Sequence, residues 1–157
     1  MVNVGFTVAG VLTAAGLLVL AASTAGDDSP RAVFAAGAVA YTIGGVLWCV
    51  VLAVRARTTS ALARMVATGT PTEPAETLLG AALSGLFASF SLTTSLALVA
   101  IGVALALGGG VAAPMAWFVA LVGVLVTAWF LVAGDIIPAV LYLPTLLLGV
   151  ALLAGWT

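Results

Sequence analysis

The chain has 157 residues, of which 64% are hydrophobic and only 6% are charged, and its net charge is −1. Soluble domains carry about 25% charged residues, so this composition leaves too few hydrated groups for a water-facing surface and predicts a polytopic membrane protein. The four basic residues cannot form a nucleic-acid-binding face, zero histidines exclude His-ligated haem and most zinc sites, and one cysteine excludes an internal disulfide.

Two apolar segments open the chain, and each meets the length of about 20 residues that a helix needs to cross a bilayer core. The first covers about 4–22. It lacks the basic start of a signal peptide, so we expect a retained transmembrane helix. A polar turn with Asp27, Asp28 and Pro30 follows, and the second helix is predicted over about 32–54.

The most hydrophilic part of the chain is the predicted loop over about 55–76. Its first part is compatible with a continuation of the second helix into water, and Pro74 suits the first turn of the next helix. The third transmembrane helix is predicted over about 77–107. The breaker-free run from Pro74 measures about 50 Å as a helix, so it should protrude from the bilayer or tilt.

The fourth helix is predicted over about 114–133 and the fifth over about 138–156. Asp135 falls between them, at a turn near the membrane surface, where its carboxylate should cap the fifth helix. Pro144 lies inside the fifth segment and predicts a kink or a break. The predicted fold is therefore an all-α transmembrane bundle of five helices, with four spans plus a kinked or re-entrant fifth as the alternative.

The arginines predict the orientation of the chain. Arg55, Arg57 and Arg64 lie between the second and third helices, so this loop should be cytoplasmic. Five crossings of the cell membrane then place the N-terminus on the cytoplasmic side and the C-terminus on the outer side. Asp135 should share a face with the three arginines, where an exposed ion pair contributes only about 0–1 kcal/mol. The richness in Ala, Gly and Val, with arginine in place of lysine, predicts a high-GC genome and therefore a prokaryotic protein, bacterial or archaeal.

Candidate binding residues are the polar and aromatic side chains on the faces that are predicted to avoid lipid. They are Tyr41, Trp48, Ser91, Ser95, Asp135 and Tyr142. Each also has a structural explanation, because tyrosines anchor helix contacts and membrane serines often bond across helices. Ala36, Ala40 and Gly44 form a small-residue ladder on the second helix, which favours close helix contact within the chain or with a partner.

These observations favour a non-enzymatic accessory subunit or a binder of a lipid or other hydrophobic molecule, without cofactor or metal. The expected partners are membrane lipids, and a homo-oligomer or larger complex through the small-residue faces, but no nucleic acid. One alternative is a membrane-embedded enzyme that acts on an apolar substrate and uses Asp135, Tyr41 or the Glu73/Glu76 pair as acid or base. Another is a small transporter or channel, for which Asp135 is the candidate ionisable group.

Overall fold

A computed structural model describes residues 2–23, 29–109 and 113–154. Within these ranges the chain forms five helices, which confirms the all-α prediction. They are α1 Val2–Ser23, α2 Ser29–Ala67, α3 Glu73–Gly108, α4 Ala113–Ala133 and α5 Ala139–Leu153. The described residues do not include Asp27 and Asp28 of the predicted first turn, or Trp156 near the C-terminus.

Three of the helices, α2, α3 and α4, are long and apolar enough to cross a membrane. Two shorter apolar helical segments accompany them, Gly10–Ala22 in α1 and Ala139–Leu153, which is α5. Large apolar side chains are exposed on the outside, including Val19, Leu131 and Val132. Such a surface is unfavourable in water and is expected where a protein faces lipid. Helix length and hydropathy together indicate a multi-pass membrane protein.

The segment for which the sequence predicts a loop, 55–76, is mostly helical. α2 continues to Ala67 and α3 begins at Glu73, which leaves residues 68–72 as the connection. The extra turns of α2 are rich in Ala, Arg, Leu and Met, which favour helix, and no Gly or Pro interrupts them before Gly69. Past Val54, α2 and α3 therefore form a hairpin that extends by about 20 Å. We call this end of the molecule the hairpin end.

α2 packs closely along α3 through two glycines. A Cβ at Gly37 would lie 2.9 Å from Ile101 Cγ1, and one at Gly44 would collide with Thr94 Oγ1. Both glycines are buried, whereas Ala36 of the predicted small-residue ladder is exposed. The face of α2 that contacts the bundle thus differs from the predicted ladder. It contains Gly37 and Gly44 together with the aromatic residues Tyr41 and Trp48.

α3 lies equally close to α4, through one glycine from each helix. A Cβ at Gly102 would lie 2.7 Å from the carbonyl oxygen of Ala116 and 2.8 Å from Ala120 Cα. A Cβ at Gly123 would lie 2.7 Å from the carbonyl oxygen of Ser95. Small residues allow such backbone approach in membrane bundles. α3 is therefore the central helix, and at these glycines no side chain separates it from α2 or from α4.

α5 returns along the bundle beside α4 and remains helical through Pro144, so the break predicted there does not occur. Asp135 does not cap this helix either. The N-cap residue is Pro138, and Asp135 Oδ1 instead accepts the N–H of Ile136 at 2.8 Å. Residues 135–137 are not helical and separate Asp135 from the first turn of α5. Asp135 is exposed at the hairpin end.

Candidate functional site

An apolar groove separates α1 from α5 in the half of the molecule away from the hairpin end. Its volume is about 570 Å³. The walls include Leu12, Gly16, Leu17 and Leu20 from α1 and Thr145, Leu148, Gly149 and Leu152 from α5. A Cβ at Gly16 or Gly149 would meet no atom within 4 Å, so both glycines face open space. The groove has the size and the apolar lining of a small-molecule site, which typically occupies about 300–1,000 Å³.

Two tyrosines lie beside Thr145, one of the groove residues. The Tyr41 and Tyr142 rings meet edge to face with centroids 6.5 Å apart. Thr145 Oγ1 donates to the carbonyl oxygen of Tyr142 at 2.8 Å and lies 3.2 Å from the Tyr41 hydroxyl. Because the single Thr145 proton is used in the first bond, Tyr41 is the donor in the second. This bond ties α2 to α5 inside the bundle.

The Tyr142 hydroxyl has a different environment. It is buried and has no hydrogen-bond partner among the described residues. It points toward Gly10 of α1, where an added Cβ would lie 3.4 Å from the hydroxyl oxygen. A buried hydroxyl without a partner is costly, so this group adds polarity to the α1–α5 contact without stabilising it.

Four aromatic side chains form a cluster nearer the hairpin end. Trp48 stacks on Phe90 with ring centroids 5.0 Å apart and an interplanar angle of 26°. Phe87 contacts both rings, at 6.1 Å from Trp48 and 6.0 Å from Phe90, and also approaches Phe130 at 6.3 Å. Such pairs contribute about 0.5–1.5 kcal/mol each beyond their buried area. The cluster joins α2, α3 and α4 where the bundle meets the hairpin.

A second cavity lies above this cluster, at the hairpin end. Its volume is about 350 Å³. Val51, Leu83 and Phe87 supply its apolar wall, and Arg55, Ser84 and Asp135 supply its polar groups, with Gly80 at the edge. The sequence predicted that Asp135 and Arg55 share one end of the bundle. The structure adds that both face one cavity.

Three serines of α3, Ser84, Ser91 and Ser95, lie in three different environments. Ser95 is buried, donates to the carbonyl oxygen of Leu92 at 3.3 Å, and accepts from Thr127 of α4 at 2.9 Å. Ser91 is also buried, but its hydroxyl has no partner among the described residues. Ser84 is exposed on the hairpin-end cavity. Only Ser95 therefore makes the interhelical bond that membrane serines commonly make.

The six candidate residues from the sequence do not form one site. Tyr41 and Tyr142 meet, Trp48 joins the aromatic cluster, and Ser91 and Ser95 are enclosed in the helix interfaces. Asp135 stands apart at the hairpin end. The groove was missed because most of its residues are aliphatic, and a leucine that lines a groove cannot be distinguished by sequence from one that faces lipid. Among the described residues, no three Cys, Asp or Glu side chains gather as metal ligands.

Comparison of the chain with models of protein families, with curated proteins and with solved structures found no match.

Proposed function

We propose that this protein is a non-enzymatic membrane protein that binds a lipid or another hydrophobic small molecule in the groove between α1 and α5. The observation that carries the proposal is the groove itself, about 570 Å³ of open space with mostly aliphatic walls and two threonines, Thr13 and Thr145. Its two glycines leave the centre unfilled, whereas the glycines between α2, α3 and α4 are filled by neighbouring helices. Gly16 and Gly149 therefore leave open space between α1 and α5.

In this proposal all five helices cross the cell membrane, with the hairpin end in the cytoplasm. The support is the arginine content of the hairpin end, which carries Arg55, Arg57 and Arg64, because cytoplasmic segments are enriched in basic residues. The groove then opens toward the outer half of the bilayer. Ion-coupled transport normally uses an ionisable group at membrane depth. Asp135 is exposed at the end of the bundle, so a binding role is the better supported choice.

The test is native mass spectrometry of the protein extracted from its membrane in mild detergent. The wild type should retain a lipid-sized adduct. The double variant Gly16→Leu/Gly149→Leu places two side chains in the groove without a clash at Cβ, and should lose most of that adduct. The matched control is Gly45→Leu, because a Cβ at Gly45 also meets nothing within 4 Å but lies on α2, outside the groove.

Two results would contradict the proposal. One is a wild-type protein without any adduct when extracted gently. The other is a double variant that folds and retains as much adduct as the Gly45→Leu control, since the bound molecule would then lie elsewhere on the protein.

A further inference from the structure

The hairpin-end cavity differs in chemistry from the groove because it presents two opposite charges. Arg55 lines it from α2, Asp135 from the turn between α4 and α5, and Ser84 from α3. The floor is apolar and includes Phe87, whose ring belongs to the aromatic cluster. The cavity thus combines a hydrogen-bond donor for an anion at Arg55, an acceptor for a cation at Asp135 and an apolar floor.

The two charges do not neutralise each other directly. Both residues are described, and no ion pair within 4.0 Å joins them. Asp135 uses Oδ1 for the N–H of Ile136 at 2.8 Å. Its second oxygen makes no hydrogen bond to any described residue. A guanidinium recognises phosphate or carboxylate oxygens, and a carboxylate accepts N–H donors from an ammonium group. A ligand that carries both a phosphate or carboxylate and an ammonium group could therefore bind Arg55 and Asp135 at the same time.

We propose that this cavity binds the head group of an aminophospholipid, with the phosphate at Arg55 and the primary ammonium at Asp135. The apolar floor explains the choice of a lipid, because Val51, Leu83 and Phe87 offer a surface for the glycerol and the first methylenes of the chains. The cavity lies where α4 ends and α2 and α3 continue, which is the level of head groups if the bundle spans a bilayer. The inference rests on that part of the proposed function, but not on the groove.

The first experiment measures head-group preference. The purified protein is delipidated and offered equal amounts of phosphatidylethanolamine, phosphatidylglycerol and phosphatidylcholine with identical chains, and bound lipid is counted by native mass spectrometry. Phosphatidylethanolamine should be preferred, because phosphatidylglycerol lacks the ammonium and the quaternary nitrogen of phosphatidylcholine has no N–H to donate. Since both charged side chains are exposed, the preference should be about two- to fivefold.

Charge variants assign the two ends of the head group. Asp135→Asn should abolish the preference for phosphatidylethanolamine over phosphatidylglycerol while binding of both remains. Arg55→Gln should reduce the binding of all three lipids, since each has a phosphate. The matched controls are Glu76→Gln and Arg57→Gln, which remove one exposed charge from the same hairpin outside the cavity lining and should leave the preference unchanged.

A neutral pair of variants separates the cavity from general surface charge. Gly80→Leu fills the cavity edge without a clash, whereas Gly85→Leu adds the same side chain to open space elsewhere on α3. Only Gly80→Leu should lower the head-group preference. Soluble phosphoethanolamine at millimolar concentration identifies the source of the ligand. If it displaces the lipid, the site takes the free head group as well, and if it does not, the lipid chains are required.

The proposal is overturned if the wild type shows no head-group preference, or if Arg57→Gln and Glu76→Gln change it as much as the cavity variants do. Failure of the groove experiment leaves these outcomes intact, because they depend on a ratio between head groups and not on total retained lipid.

Discussion

Gly102→Ala should destabilise the bundle even though alanine is the better helix former. The new Cβ would lie 2.7 Å from the carbonyl oxygen of Ala116 and 2.8 Å from Ala120 Cα, and it would collide with the backbone nitrogen of Ala120. All three atoms belong to the backbone of α4, so no change of side-chain rotamer can relieve the contact. Restoring ordinary separation requires α3 and α4 to move apart by about 0.7 Å or more, which forfeits a quarter to a half of each close dispersion contact along the interface.

The magnitude follows from two opposing effects. Overpacking a well-packed interface costs about 1–3 kcal/mol, and a clash with backbone belongs at the upper end of that range. Replacing glycine by alanine in a helix contributes about 1 kcal/mol in the other direction. The expected net loss is about 2 kcal/mol in the free energy of unfolding. Gly85→Ala is the matched control in the same helix, because its Cβ meets open space. That variant should gain up to about 1 kcal/mol.

The assay is reversible unfolding in mixed micelles of increasing SDS fraction, followed by fluorescence of the tryptophans. Identical substitutions in one helix should shift the midpoint in opposite directions. A Gly102→Ala variant as stable as Gly85→Ala would refute the reasoning, since it would mean that α3 and α4 are not in backbone contact at this position.

Two further predictions concern the tyrosine pair and the orientation of the chain. Tyr41→Phe should lower the free energy of unfolding by about 0.6–1 kcal/mol through the lost bond to Thr145, whereas Tyr142→Phe should raise it by about 1 kcal/mol, because the hydroxyl removed is buried and unpartnered. SDS titration checks both signs, and a loss at Tyr142 would mean that its hydroxyl has a partner. In a Cys49→Ser background, Thr70→Cys at the hairpin turn should resist a membrane-impermeant maleimide in intact cells and react after lysis, while labelling of intact cells would place the hairpin outside.

The sequence predicts the number and order of the helices because span length and breakers are local properties. The turn at Gly134 follows from a complete fourth span, and there the glycine has φ +71°. The extent of the hairpin was harder to predict. Residues 55–67 are polar enough for a loop and also favour helix, and their polarity does not distinguish a loop from a helix that extends into water.

The candidate site was less predictable than the fold. Periodicity places Tyr41 and Trp48 on one face of α2, and both are buried. It does not tell which helix lies opposite, so the bond from Tyr41 to Thr145 across 104 positions was not foreseen. The shared cavity of Arg55 and Asp135 was only partly foreseen, because a common membrane face says nothing about distance within that face.

The length of the α2–α3 hairpin couples the position of its turn to the shape of the cavity at its base. Arg55 and Ser84 stand at its base, and the turn around Gly69 is its free end, about 20 Å away. Over this length, a sideways displacement of about 5 Å at the turn corresponds to a tilt of about 14° at the base. A displacement of the turn would therefore change the cavity wall without any contact to the cavity itself. The close contacts at Gly102 and Gly123 would keep α3 in place against α4.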